Sequence, residues 1–150
     1  MANFEKLTIK SAEAVEGARA LARTHSNPVV NDAHLLAALL EQDEGIVAPL
    51  LGKVGANVAK LKQDVAREIG RFPTQTGAEP QFSREIQQAL DKAEAEASRL
   101  GDEYTSTEHL LIGLFETKGT TARQLLSAEG IELQNLRDAL TAVRGAHRVT

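Results

Sequence analysis

His34-Leu35-Leu36 recurs as His109-Leu110-Leu111, an offset of 75 residues (109 minus 34), and that register holds without a gap through most of the chain. It pairs Ala14, Ala18 and Ala22 with Ala89, Ala93 and Ala97, and Leu39 with Leu114. It also pairs Leu50-Leu51 with Leu125-Leu126, Gly55 with Gly130, Leu61 with Leu136 and Gly70 with Gly145. A chain that repeats itself in this way is built from two copies of one unit. Two copies are too few for a solenoid, so the halves are expected to bury their apolar faces against each other.

Each unit reads as four helices. The first, about Thr8 to Thr24, carries alanines at i, i+4 and i+8, a low ridge that lets another helix come close. Thr8 and its mate Ser83 are placed to accept an orphan backbone N–H as N-caps. The second helix follows Asn31 and Ser106. Its core face is Leu35, Leu36, Leu39 and Leu40, echoed by Leu110, Leu111, Leu114 and Phe115. The third holds Val47, Leu50 and Leu51 and stops near Gly55, which is free to take the left-handed C′ conformation. The fourth carries Val58, Leu61, Val65 and Ile69 at helical spacing, echoed by Leu133, Leu136, Leu140 and Val143. No period-two strand pattern is visible. The expected fold is therefore all-α: two pseudo-symmetric repeats of four helices, about eight in all, packed as one domain. Repeat one covers about 4–70, a linker with Pro73, Gly77 and Pro80 covers about 71–81, and repeat two covers about 82–145.

Composition removes several function classes. A net charge of −4 argues against a nucleic-acid footprint. No apolar run is long enough to span a membrane, and the first ten residues lack the apolar core of a signal peptide. The absence of cysteine excludes thiolate chemistry and fits a cytoplasmic chain. The phosphate-cradling pattern is missing, because Gly52-Lys53-Val54-Gly55 has neither its spacing nor its hydroxyl residue. The chain by itself is not expected to hydrolyse ATP or to hold a cofactor.

His34 and His109 are the most enzyme-like residues. Their matching places just after a helix start favour imidazoles that pack or hydrogen-bond at the helix N-terminus. A metal site would need further ligands, and none repeats with them at ligand spacing. The alternating charges of Asp91 to Arg99 read as a solvated helix face. Asp102, Glu103 and Glu108 crowd a helix entry, where acids are favoured by the dipole; they could also recognise cationic or unfolded chains.

Three stretches carry a family resemblance: Phe4-Glu5-Lys6-Leu7-Thr8-Ile9-Lys10, Ala33-His34-Leu35-Leu36-Ala37-Ala38-Leu39-Leu40, and Ser106-Thr107-Glu108-His109-Leu110-Leu111-Ile112-Gly113-Leu114. With the proline-containing linker they resemble the tandem repeat of the N-terminal domains of Clp/Hsp100 proteins, of the ClpB disaggregase type. The closing 144–150 stretch resembles the approach to the first ATPase module. The resemblance implies a fragment, monomeric alone, of a homohexameric ring that uses ATP and Mg2+ to thread aggregated polypeptide with the DnaK/Hsp70 system. Within that ring this domain would bind unfolded or aggregated protein. The residues it implies for substrate engagement are Thr8, Asp102 and Glu108, with Leu90 at a hydrophobic groove on the first helix of repeat two. The three polar residues are expected to be exposed, so that truncating them spares the fold. The alternative is an adaptor- or degron-docking domain of the proteolytic ClpC or ClpA type. ClpC-type domains bind phosphorylated arginine through an acid before each histidine; here Glu108 has that place but its mate is Ala33.

Overall fold

A computed structural model describes residues 4–145. A short 3₁₀ turn, Phe4–Lys6, leads into four helices: α1 Ile9–Thr24, α2 Asp32–Glu41, α3 Val47–Lys53 and α4 Val58–Gly70. Four more follow in the same order: α5 Arg84–Arg99, α6 Thr107–Glu116, α7 Thr121–Ala128 and α8 Leu133–Arg144. The helices start where short polar side chains can take an orphan N–H. Thr8, Asn31, Asn57, Ser83 and Thr120 each accept from the first turn that follows them. α3 and α7 both end two residues before a left-handed glycine, Gly55 (φ 94°) and Gly130 (φ 78°). The eight helices and their twofold repetition are as the periodicity requires.

Two short strands were not visible in the pattern: β1 Val29–Val30 and β2 Gln81–Phe82, which pair in parallel. Two residues are too few to establish a period of two. Their meaning lies in the repeat register. Ser83 N–H donates to Val30 O (2.9 Å), and Thr8 N–H donates to Thr105 O (3.0 Å). Thr8 is the mate of Ser83 and Thr105 the mate of Val30, so the same bond is made twice with the repeats exchanged. The entry to the first helix of each repeat is stitched to the entry of the second helix in the other. Further links cross the same boundary. Asp32 Oδ2 accepts from Ala122 N–H at the start of α7 (2.8 Å), and Glu129 Oε1 accepts from Asn57 N–H before α4 (2.9 Å). Burial pushes the Asp32 carboxyl above its ordinary value, against the pull of the α7 N–H groups.

The core is continuous across both halves, from Leu35, Leu36, Leu50 and Leu61 to Leu90, Leu110, Leu114 and Leu136. Aliphatic side chains of this size contribute most of the burial free energy. Its tightest point is the α5–α6 crossing, where Gly113 faces Ala89 and Ala93. The alanine ridge thus serves the close approach that its spacing implied. Two expectations need correction. Val143 is 48% exposed, because α8 turns that side out as it ends. Glu96 lies in the stretch read as solvated, yet it is buried and held by Arg99 and Arg137 at 2.7 Å each. Burial opposes the charge on Glu96, but the two guanidiniums prevail and hold its pKa below the usual carboxylate value.

Candidate functional site

Both histidines are fully buried at the third position of their helices, where a capping box normally carries Glu or Gln. His34 Nδ1 accepts the backbone N–H of Asn31 (3.0 Å), and His109 Nδ1 accepts that of Ser106 (2.8 Å). An Nδ1 that accepts is unprotonated, so in the neutral ring the proton sits on Nε2 and is donated onward. His34 Nε2 meets Asn27 Oδ1 (2.9 Å), and His109 Nε2 meets Asp102 Oδ2 (2.7 Å). Asn27 and Asp102 are mates in the repeat, each seven residues before its histidine. The turns that aim them back carry a positive φ at Ser26 (55°) and Gly101 (74°), themselves mates.

The two constellations differ in charge. Repeat one surrounds His34 with Asn27 and the edge of Phe72, whose ring centre is 5.5 Å away. Repeat two adds Arg144, whose Nη2 donates to Asp102 Oδ1 at 2.5 Å. The mate of Arg144 is Ile69, so an Asn and Ile in one half become an Asp and Arg pair in the other. Burial pushes His34 down to about 4, with His25 adding to the shift. Burial also lowers His109, with Arg144 adding to it, while Glu108 and Asp102 pull the other way.

Both nitrogens of each ring are therefore committed, Nδ1 to a helix start and Nε2 to the turn before it. Among the described residues, no group of three or more His, Cys, Asp or Glu side chains is placed to hold a metal ion. His147, with the rest of the 146–150 stretch, lies outside the described residues.

A neutral His34 has a consequence for pH. Its folded pKa lies below the ordinary 6.5, so its contribution to stability is complete above about 6.5 and is lost as pH falls towards about 4. That contribution is on the order of 2 kcal/mol after allowance for solvent screening. His34→Gln keeps an acceptor for the cap and removes the titration. Urea melts at pH 7.5 and 5 should show a smaller loss of stability in His34→Gln than in the native chain; an equal loss would refute the assignment.

The four residues singled out for substrate engagement fall into distinct places. Thr8 is half-buried: it caps α1, accepting from Ser11 N–H (3.1 Å). Through the bond to Thr105 it lies beside the start of α6. Glu108 sits in the first turn of α6 and is 7% exposed. The side chain of Asp102 has no exposed surface, and its carboxylate is spent on His109 and Arg144. Leu90 is 1% exposed and belongs to the core. Thr8, Asp102 and Glu108 thus meet at one pole, where α1 and α6 begin, but Asp102 and Glu108 are not the exposed anchors expected. What sequence reasoning missed was the mutual pairing of Asp102 with His109. The signal was present in the register, since Asn27 and Asp102 keep one spacing to their histidines.

The Clp repeat (R) N-terminal domain model matches residues 6–129. The chain belongs to that family. The Clp repeat accounts for the two units and for their common helix order. The chain is 43% identical over 145 residues to the chaperone protein ClpB of Mycobacterium tuberculosis (strain ATCC 25618 / H37Rv), a match covering 95% of this chain and 17% of the relative. It thus spans about a sixth of that protein. The crystal structure of the Hsp104 N-terminal domain from Candida albicans superposes with a TM-score of 0.82 at 20% identity, covering 96% of this chain and 95% of that one. The ClpV N-domain in complex with a VipB peptide superposes with a TM-score of 0.77 at 23% identity, covering 97% and 91%. These two likenesses concern the fold. No helix among the described residues is long and apolar enough to cross a membrane.

Proposed function

We propose that this Clp repeat domain is the substrate-engaging N-terminal domain of an ATP-dependent protein disaggregase. It binds unfolded or aggregated polypeptide and passes it to an AAA+ ring. The observation that carries this reading is the 43% identity to ClpB across 95% of the chain. The peptide held by the ClpV N-domain supports polypeptide as the ligand of this fold. In the whole protein, ATP and Mg2+ serve modules outside this chain. The ring is a homohexamer, it works with the DnaK/Hsp70 system, and it is cytoplasmic.

Thr8 and Glu108 contact the client in this reading: Thr8 keeps accessible surface, and Glu108 lies in the first turn of the helix whose entry Thr8 is bonded to. Asp102 acts through the position of α6, and Leu90 through the core beneath. Thr8→Ala removes one N-cap bond, worth about 1 kcal/mol to the fold. An unfolded client starts from low affinity, because it loses chain entropy on ordering. Losing one polar anchor of about 1.4 kcal/mol then weakens binding about tenfold. NMR titration with unfolded casein tests this. Shifts are expected around Thr8 and Glu108, with Thr8→Ala and Glu108→Ala still folded but binding weakly. Shifts nowhere at saturating casein would refute client binding.

A further inference from the structure

The first repeat holds an open groove of about 530 Å³ between α1, α2 and α4. Its lining includes the small residues Gly17, Ala38 and Ala66 and the apolar Leu21 and Ile69. The second repeat's counterpart is a smaller cleft of about 430 Å³ that keeps only Lys92, Glu116 and Lys118 of the equivalent lining, and the register gives the reason. Gly17 becomes Lys92, whose Nζ donates to Glu116 O (2.9 Å). Leu21 becomes Glu96, locked between Arg99 and Arg137. Ala66 and Ile69 become Thr141 and Arg144. Polar side chains bonded to their neighbours fill part of the crossing in one half; apolar and absent ones leave it wider in the other. A glycine inside a helix is destabilising relative to alanine. At Gly17 an added Cβ would meet only the Ala38 Cβ, at 3.3 Å, a tight contact but not a clash with backbone.

The rim adds a charge pattern. At the end where α2 finishes stand Glu13, Glu41 and Asp43, against Lys10 and Lys62. Lys62 lies 3.9 Å from Glu41, and Lys10 is tied to the carbonyl of Asp43 (2.7 Å). Glu13 and Asp43 make no ion pair to the other described residues. The last carbonyls of α2 add a partial negative charge at the same end. An apolar trough with one electronegative end suits an amphipathic helix presenting apolar residues at i, i+3, i+4 and i+7 and a cation at one terminus.

We propose that this first-repeat groove docks the apolar face of a short amphipathic helix of a partner polypeptide, with a Lys or Arg of that helix against Glu13 and Asp43. The site deepens the client-binding reading and rests on it. A designed helical peptide with leucines at that spacing and an arginine pair at one end is the probe, labelled for fluorescence anisotropy. Ala66 is exposed, so Ala66→Lys fills the groove without disturbing the core. Leu21→Glu copies Glu96. Each should weaken peptide binding at least about tenfold, while Lys92→Ala in the second repeat leaves it unchanged. Asp43→Lys should weaken the arginine peptide and favour a version ending in glutamates. Thermal melts verify that each variant is folded. No peptide binding by the native chain, or binding undiminished by Ala66→Lys, overturns the proposal. So does a dimer of the chain that Ala66→Lys dissociates, since a second copy would then be the occupant. Casein binding that persists in Ala66→Lys overturns the groove and leaves the client-binding reading intact. Peptide binding without casein binding does the reverse.

Discussion

Asp102→Ala is expected to lower the stability of the folded domain by about 3–5 kcal/mol, the cost of breaking a buried pair by removing one partner. The substitution leaves His109 Nε2–H without its acceptor and leaves the Arg144 guanidinium, whose side chain is 10% exposed, without its carboxylate. The first repeat supplies an internal control. At the mates of these positions it uses Asn27 and Ile69, with no charge at either. Asp102→Asn alone removes the carboxylate from Arg144, and Arg144→Ile alone removes the guanidinium from a buried carboxylate. The double variant Asp102→Asn/Arg144→Ile recreates the neutral arrangement. It should be more stable than the sum of the single losses implies, by about 1–3 kcal/mol. Urea melts on the four proteins measure this. Additive losses would mean that the pair does not act as a unit.

Gly113→Ala is the second large effect. A Cβ on Gly113 would stand 2.2 Å from Ala89 O and 2.9 Å from Ala93 N, and both are backbone atoms of α5. A flexible side chain could move aside; a helix backbone cannot without pushing α5 and α6 apart. Overpacking of this kind costs roughly 1–3 kcal/mol and at times more, so a loss of about 3 kcal/mol is expected despite the better helix propensity of alanine. Gly17→Ala is the contrast. Its added methyl meets one atom, the Ala38 Cβ, at 3.3 Å, a tight contact that a shift of a few tenths of an ångström relieves, so the change should cost far less than Gly113→Ala. Thermal melts of the two variants should therefore move differently. Similar melting temperatures would place the tight crossing elsewhere.

Much of this domain was legible before any coordinates. The 75-residue register carried the two units, and helical periodicity carried the eight helices. The caps Thr8, Asn31, Ser83 and Ser106 followed from local chemistry, because a hydroxyl or amide before an apolar run has few other uses. The two left-handed glycines followed for the same reason. These are properties of short stretches, and short stretches are what a sequence records.

The candidate site was legible only in part. Thr8, Asp102 and Glu108 were named separately, and the structure gathers them at the pole where α1 and α6 begin. That meeting depends on the exchanged bridges, Thr8 to Thr105 and Ser83 to Val30. A repeat register tells which residues are equivalent; it does not tell which copy pairs with which. The accessibility of the site was misjudged for a related reason. Asp102 and Glu96 are acids in stretches that look solvated, but a carboxylate is buried when cations from distant helices reach it. Arg144 and Arg137 both come from α8, more than forty residues away.

The sequence by itself determined the class and the repetition, and, from neighbours within a turn or two, the apolar helix faces and the caps Thr8, Asn31, Ser83 and Ser106. Only the tertiary structure decided that Leu90 is core and that Asp102 is held by His109 and Arg144. It alone decided that the apolar groove lies in the first repeat. Those outcomes turn on side chains from different helices meeting, and long-range packing, not local preference, sets where they arrive.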